Sequence, residues 1–147
     1  MAWKAATQMA IDYPLGIGAG NFPSVYGRYY RDTYADQTIY APNRWIAVHS
    51  IYFLTLAEYG LGGLLLLIYF IYKMYKQNSE SETTMIGQEK AKNTQPWLPI
   101  ALKASIIALS VDGIFLGGLN YPHIYLLAAM TLATREVTEN MQAVECK

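Results

Sequence analysis

The longest apolar run lies in the middle of the chain and predicts a membrane-spanning helix. From Glu58 to Tyr75 almost every position is apolar or aromatic. This length matches the roughly 20 helical residues needed to cross a bilayer core about 30 Å thick. A second apolar segment runs from Ile100 to Leu119, and a shorter one from His123 to Thr134. We therefore predict an all-α membrane protein with about three transmembrane helices.

The residues before these segments predict short helices and turns. Residues 2–12 carry apolar side chains at helical spacing, and Pro14 ends that helix because the residue before proline avoids the helical region. Residues 16–23 form a glycine-rich turn, which we interpret as a connection. Binding of a nucleotide phosphate is the alternative, but the dinucleotide fingerprint requires a preceding strand and a following helix, and neither is predicted here.

A loop rich in tyrosine and arginine is predicted from Ser24 to Asn43. Tyrosine and arginine together suit stacking on sugar rings and pairing with phosphate oxygens. They equally suit an aromatic belt at the level of the lipid headgroups. Both interpretations place this loop against a membrane.

These patterns divide the chain into five segments. Residues 1–45 are a periplasmic tyrosine-rich loop with a short helix, and residues 46–75 are a loop helix and the first transmembrane segment. Residues 76–97 are a cytoplasmic connector, 98–135 a transmembrane hairpin, and 136–147 a polar tail. The orientation follows from basic residues, which accumulate on the cytoplasmic side of spans. More of them flank the connector side (Lys73, Lys76, Lys90, Lys92, Lys103, Arg135, Lys147) than the loop side (Lys4, Arg28, Arg31, Arg44).

Composition excludes some classes of function. The 11 basic residues balance the 11 acidic ones, so no positive field would gather nucleic acid. Cys146 is the single cysteine and can form no internal disulfide. We expect neither a metal nor a cofactor.

The ionisable side chains within the apolar region are the candidates for chemistry. Apart from tyrosines, His49 and Glu58 are the only ones between Ile46 and Tyr72. Charged groups at such depth are costly and usually face a protein interior or a wet cavity. Asp112 has the same position in the second apolar segment, and we expect Glu58 and Asp112 to be structural partners or to line a site.

Two motifs make the first half of the chain similar to a known family. Trp3 to Ala6 with Pro14 to Phe22, followed by Val48 to Phe53 and Leu56 to Gly63, resemble the O-antigen ligase family in order and spacing. The similarity is greatest to the O-glycosylation ligases found with bacterial exosortase systems. It covers residues 2–75 with definite motifs, and the apolar hairpin beyond only by pattern.

The resemblance implies part of a polytopic glycosyltransferase of the bacterial inner membrane. Such enzymes move a glycan from an undecaprenyl-diphosphate carrier to a lipid A-core or protein acceptor, without metal or nucleotide sugar. It implies that His49 is catalytic and that Arg44 holds the diphosphate together with Arg28 and Arg31. We expect Tyr52, in the same motif as His49, to be structural or to line the site. The family's N-terminal helices, and an arginine just before the position of Trp3, have no counterpart here. We therefore expect a complete active site to require them.

The chemistry of these residue types is consistent with that assignment. An imidazole with an ordinary pKa of about 6.5 can accept a proton near neutral pH, as a general base does. A guanidinium stays charged and pairs bidentately with phosphate oxygens. His49 and Glu58 fall on different helix faces, so we do not expect them to form an acid/base pair. An O-antigen polymerase and a non-catalytic small membrane protein are the alternative functions.

Overall fold

The computed structural model describes residues 2–31, 48–88, 97–116 and 122–145. Within these ranges the chain forms five helices and no strand. They are α1 (Ala2–Asp12), α2 (Phe22–Arg31), α3 (Ile51–Gln88), α4 (Trp97–Asp112) and α5 (Pro122–Glu145). The prediction of an all-α protein is confirmed for these residues.

The chain divides into two compact units, and α3 contributes to both. The first unit comprises residues 1–68 and 112–119, and the second comprises residues 69–111 and 120–147. The core of the first unit is small and contains few large aliphatic side chains. It joins α1, α2 and the residues on either side of the start of α3, through buried Ala5, Ala6, Met9, Phe22, Tyr26, Val48 and Ala57.

The predicted loop from Ser24 to Asn43 is wrong in its first part, because residues 24–31 belong to α2. Proline is accommodated in the first turn of a helix, where its missing N–H would have no partner anyway. Pro23 is the second residue of α2 and therefore starts this helix rather than preventing it. The remainder of that loop lies outside the described residues.

Helix α3 is 38 residues long and extends far beyond the predicted span. Residues 76–88, expected to be part of a connector, continue it as helix. The cause is a buried stripe at helical spacing, formed by Met74, Asn78, Ser81 and Met85, in which two members are polar. The side-chain nitrogen of Asn78 donates a hydrogen bond of 2.8 Å to Thr131 on α5, so this polar member of the stripe links the two helices.

The predicted polar tail is likewise mostly helical. Helix α5 runs to Glu145, and its buried positions Ile124, Thr131, Thr134 and Thr138 again recur at helical spacing. In the same unit, Lys103 on α4 pairs with Glu82 on α3 at 2.7 Å. Lys103 also lies 5.3 Å above the ring of Tyr75. Polar contacts therefore account for much of the helix packing in the second unit.

One described helix, residues 51–87, is long and apolar enough to cross a membrane. Its large apolar side chains are widely exposed, including Leu65, Leu66 and Ile68. The expectation of about three spans is not confirmed. The second predicted span is interrupted, since α4 has 16 residues and ends at Asp112 instead of continuing to Leu119.

Candidate functional site

The glycine-rich turn after α1 docks onto a break in α3. Gly60 has φ 69° and ψ −169°, which interrupts the helix. A helix end leaves carbonyl groups without intrahelical donors. Here the carbonyls of Ala57 and Glu58 accept hydrogen bonds of 2.9 Å from the backbone N–H groups of Ile17 and Gly18. The two motifs that carry the family resemblance are thereby joined through their backbones.

Where the turn docks onto α3, the two backbones lie too close together to leave room for a side chain at Gly16 or Gly60. A Cβ on Gly16, where φ is +88°, would collide with the carbonyl oxygen of Glu58 and lie 2.7 Å from the nitrogen of Gly60. A Cβ on Gly60 would collide with the carbonyl oxygen of Pro14 and lie 2.8 Å from the carbonyl carbon of Leu15. Both positions also have positive φ, which favours glycine.

Glu58 connects the break in α3 to the start of α2. Its side chain is buried, with 7% exposure, and Oε1 accepts a hydrogen bond of 3.2 Å from the N–H of Phe22. Phe22 is the first residue of α2, so a carboxylate lies at the positive end of that helix. The side chain of Asn21, which precedes α2, donates instead to the carbonyl of Ile17 at 3.0 Å. Glu58 therefore supplies a cap from a distant part of the chain.

His49 is exposed, directly before α3, and has an unusual backbone. Its φ is 48°, and no other non-glycine residue in the described ranges has a positive φ. This left-handed conformation is uncommon for residues with a Cβ and costs about 1–2 kcal/mol. Such outliers persist where surrounding contacts impose them, and they cluster at functional sites.

The contacts that impose it are on both sides of His49. Before it, the carbonyl of Val48 accepts a hydrogen bond of 2.9 Å from the indole N–H of Trp3, whose ring stacks on Phe53 at 5.0 Å. After it, the N–H of Ile51 donates to the carbonyl of Gly113 at 2.9 Å. Val48, Ser50 and Ile51 are all buried. An exposed imidazole is thus held between buried, anchored neighbours.

The other predicted site residues are distributed over several elements. Arg28 and Arg31 belong to α2, and Tyr52 is half-buried in the first turn of α3. Arg44 lies outside the described residues. The side chain of Asp112 is exposed at the end of α4, where its carbonyl accepts from the N–H groups of Phe115 and Leu116. Asp112 therefore lies at the end of a helix and not in the middle of a longer one, and its role as a structural partner or site-lining residue stays a prediction.

The structure separates His49 from Glu58. Both lie in the described part of the chain, where one is exposed, the other is buried, and no hydrogen bond joins them. Among the described residues there is also no group of three side chains arranged to hold a metal ion. What the site offers is one exposed imidazole, preceded by a residue, Val48, that packs in the same core as α1 and α2.

Sequence reasoning missed the part that Trp3 plays. Helical spacing marks Trp3 only as an apolar residue of α1 and the resemblance only as part of a motif, whereas its indole N–H anchors the residue before His49. The available signal was the residue type, because a tryptophan N–H usually finds a partner when the ring packs against protein.

No family model, curated protein or solved structure gives a significant match to this chain.

Proposed function

We propose that this chain is the C-terminal portion of a membrane glycosyltransferase of the O-antigen ligase type. It would transfer a glycan from an undecaprenyl-diphosphate carrier to a lipid or protein acceptor at the outer face of the bacterial inner membrane. The observation that carries the proposal is His49, an exposed imidazole whose left-handed backbone is imposed by anchored neighbours. The order of the two motifs around it supports the same function.

The membrane environment is supported by α3. Its apolar segment is long enough to span a bilayer and exposes large aliphatic side chains such as Leu65 and Leu66. Exposed apolar surface of this extent is typical of contact with lipid or with other membrane helices. We propose that α4 and α5 also enter the membrane, that the loop containing Arg44 is periplasmic, and that residues 76–97 face the cytoplasm.

In the proposed reaction, His49 acts as the general base. Its neutral imidazole accepts the proton of the acceptor hydroxyl as that oxygen attacks the anomeric carbon of the glycan. The bond between the anomeric carbon and the diphosphate oxygen breaks, and its electron pair leaves with undecaprenyl diphosphate. General bases contribute about 10²–10⁴-fold to rates. An exposed position directly before the membrane helix suits a base that must meet a lipid-linked substrate.

Arginines would stabilise the leaving group. The diphosphate gains negative charge as the sugar leaves, and guanidinium groups pair with its oxygens in a planar, bidentate geometry. We assign this role to Arg44, with Arg28 and Arg31 as further contacts from α2. The buried carboxylate of Glu58, which caps α2, would then position the helix that carries two of these arginines.

A substitution series at His49 in the full-length protein tests this function. His49→Ala, His49→Asn and His49→Gly all remove the base, but asparagine and glycine accept a left-handed backbone readily. With purified lipid-linked donor and acceptor, we expect all three variants to lose about 10²–10⁴-fold in transfer rate. His123→Asn is the matched control, because it removes the other histidine, and it should keep normal transfer.

The series distinguishes a role of the His49 imidazole as a base from a role of the His49 backbone conformation. Near-normal transfer by His49→Asn or His49→Gly would mean that the residue matters only for its conformation. The general-base assignment would then be wrong. A far-UV circular dichroism spectrum of each variant checks that the helices are retained.

A further inference from the structure

A polar cavity of about 290 Å³ opens between α3 and α5 within the second unit. Its walls carry no part of the candidate transferase site. The α3 wall includes Lys73, Gln77 and Ser81, and the α5 wall includes Arg135 and Thr138. The cavity is therefore a separate feature. Most of its lining belongs to segments that hydropathy alone assigns to a connector and a tail, while Lys73 and Arg135 lie at the ends of the apolar segments before them.

One polar group at this cavity is shielded from solvent and has no hydrogen-bond partner among the described residues, the amide nitrogen of Gln77. Buried polar groups in proteins are nearly always hydrogen-bonded, and each exception requires an explanation. Ser81, which is 4% exposed, also lines the cavity. The Gln77 amide and the Ser81 hydroxyl can both donate, so an acceptor-rich ligand would suit this wall.

The charges around the cavity favour an anion. Lys73 forms no ion pair in the described part of the chain. Lys76 pairs with Glu80 at 3.7 Å, but 54% and 67% of their side-chain surfaces are exposed. Exposed pairs of this kind contribute little free energy, so Lys76 can turn toward another partner at low cost.

Arg135 is in a similar situation on the opposite wall. It pairs with Glu139 at 2.5 Å, and 56% of each side chain is exposed. The cavity therefore carries three cations, Lys73, Lys76 and Arg135, against the two carboxylates of Glu80 and Glu139. One positive charge is left without a counter-charge.

The position of the cavity along both helices indicates the source of the anion. Lys73 follows directly after the apolar run of α3, and Arg135 follows the apolar run of α5. Tyr69, one turn before Lys73, and Tyr72, directly before it, are both more than half exposed. Tyrosines at the end of an apolar helix segment are typical of the headgroup level of a bilayer. If α3 spans a membrane, this cavity opens among lipid headgroups.

We propose that the cavity binds the phosphodiester headgroup of an anionic phospholipid. Lys73 and Arg135 pair with the phosphate oxygens, and Gln77 and Ser81 donate hydrogen bonds to them. This site is independent of glycan transfer and requires only that α3 crosses the bilayer. Basic side chains near an anionic membrane surface each contribute to lipid binding, and a preformed cavity adds specificity for the headgroup.

Titration calorimetry on the full chain in a neutral detergent tests the proposal. The ligands are short-chain phosphatidylglycerol, short-chain phosphatidylcholine and inorganic phosphate. We expect saturable binding of phosphatidylglycerol, with much weaker binding of the other two. Phosphatidylcholine binding as tightly would overturn the requirement for an anion. Inorganic phosphate binding as tightly would show that the ligand is soluble phosphate, and the lipid assignment would be wrong.

Substitutions of the cavity residues test whether the lipid binds in this cavity. Lys73 is exposed, so Lys73→Gln should leave the fold intact and weaken phosphatidylglycerol binding about fivefold. Lys73→Arg should retain binding, and Ser81→Ala should weaken it about two- to tenfold. Lys4→Gln, which removes an equal charge from α1, should have no effect. Equal losses in Lys4→Gln and Lys73→Gln, or no loss in Lys73→Gln, would overturn the assignment to this cavity.

Discussion

Gly16 and Gly60 lie backbone against backbone, and their contact joins the glycine-rich turn to the break in α3. Each has a positive φ, and a Cβ on either would collide with a main-chain oxygen of the other segment. The hydrogen bonds from Ile17 and Gly18 to Ala57 and Glu58 follow from this approach. Glycine at positions 16 and 60 therefore allows the turn to dock onto α3, a role that the spacing of the glycines in the sequence does not indicate by itself.

The first prediction concerns these glycines and uses a graded series. Gly16→Ala and Gly60→Ala should each lower the free energy of unfolding by more than about 2 kcal/mol, since positive φ alone costs an alanine about 1–2 kcal/mol. The collision adds to that cost. The measurement is chemical denaturation of the full chain in detergent, followed by far-UV circular dichroism.

Two control glycines separate backbone strain from collision. Gly20 has φ +72° but open space around its Cβ position, so Gly20→Ala should show the strain alone. Gly62 lies in α3 with no positive φ and nothing near its Cβ position, so Gly62→Ala should stabilise the chain by up to about 1 kcal/mol. If Gly16→Ala costs no more than Gly20→Ala, the close backbone contact is not important for stability.

The second prediction concerns the cap that Glu58 provides to α2. Glu58→Ala leaves the buried N–H of Phe22 without its acceptor, so it should cost about 1–3 kcal/mol. Glu58→Gln keeps an oxygen at that place and loses only the charge at the helix terminus, worth about 0.3–1 kcal/mol. Glu80→Ala is the control, because within the described ranges the Glu80 side chain makes an exposed ion pair and no other hydrogen bond. Equal unfolding free energies for Glu58→Ala and Glu80→Ala would contradict the capping role.

The same variants also test whether α2 contributes to the proposed donor site. If Glu58 positions the helix that carries Arg28 and Arg31, Glu58→Ala in the full-length protein should raise the KM for the lipid-linked donor. Glu58→Gln should restore most of the affinity. A normal KM in Glu58→Ala would show that α2 has no part in donor binding.

The apolar pattern predicted where helices lie in the chain, but it did not predict how far they extend. Pro14 correctly marked the end of α1, and the run from Glu58 to Tyr75 lies within α3, the described helix that is long and apolar enough to cross a membrane. The continuation of α3 was missed because Asn78 and Ser81 occupy its buried stripe, and hydropathy counts them as polar. Asn78 is buried because it bonds Thr131, a partner far away in sequence.

The arrangement of the candidate site depends on similarly distant contacts. The break at Gly60, the cap on α2 and the anchor at Val48 each join segments that local propensity treats separately. His49 could be selected from its residue type and place in the chain. Its left-handed backbone could not, because Trp3 and Gly113 act on its neighbours from remote positions.

The third prediction concerns orientation in the membrane. Ser24 on α2 and Thr83 on α3 are both exposed, and from the excess of basic residues we predict that they lie on opposite sides of the membrane. In a Cys146→Ser background, Ser24→Cys should react with a membrane-impermeant thiol reagent in cells with a permeabilised outer membrane. Thr83→Cys should react only after lysis. Labelling of position 83 but not 24 in unlysed cells would reverse the proposed orientation, and labelling of both would exclude a span between them.

The fourth prediction concerns Trp3, which we propose positions His49 through the carbonyl of Val48. Trp3→Phe keeps an aromatic ring to stack on Phe53 but loses the hydrogen bond to the carbonyl of Val48, at a cost of about 1 kcal/mol in unfolding free energy. Trp3→Ala loses both contacts and should be less stable than Trp3→Phe.

The kinetic consequence of Trp3→Phe follows from the geometry of a general base. A base must lie within hydrogen-bond reach of the proton it accepts, and a displacement of about 1 Å can cost 10²-fold in rate. Because Val48 directly precedes His49, we expect Trp3→Phe in the full-length protein to lower kcat with little change in the donor KM. Trp97→Phe, the same substitution in the second unit, should leave both parameters unchanged. A rise in KM with normal kcat would place the effect on donor binding, and Trp3 would then not be a positioning residue for His49.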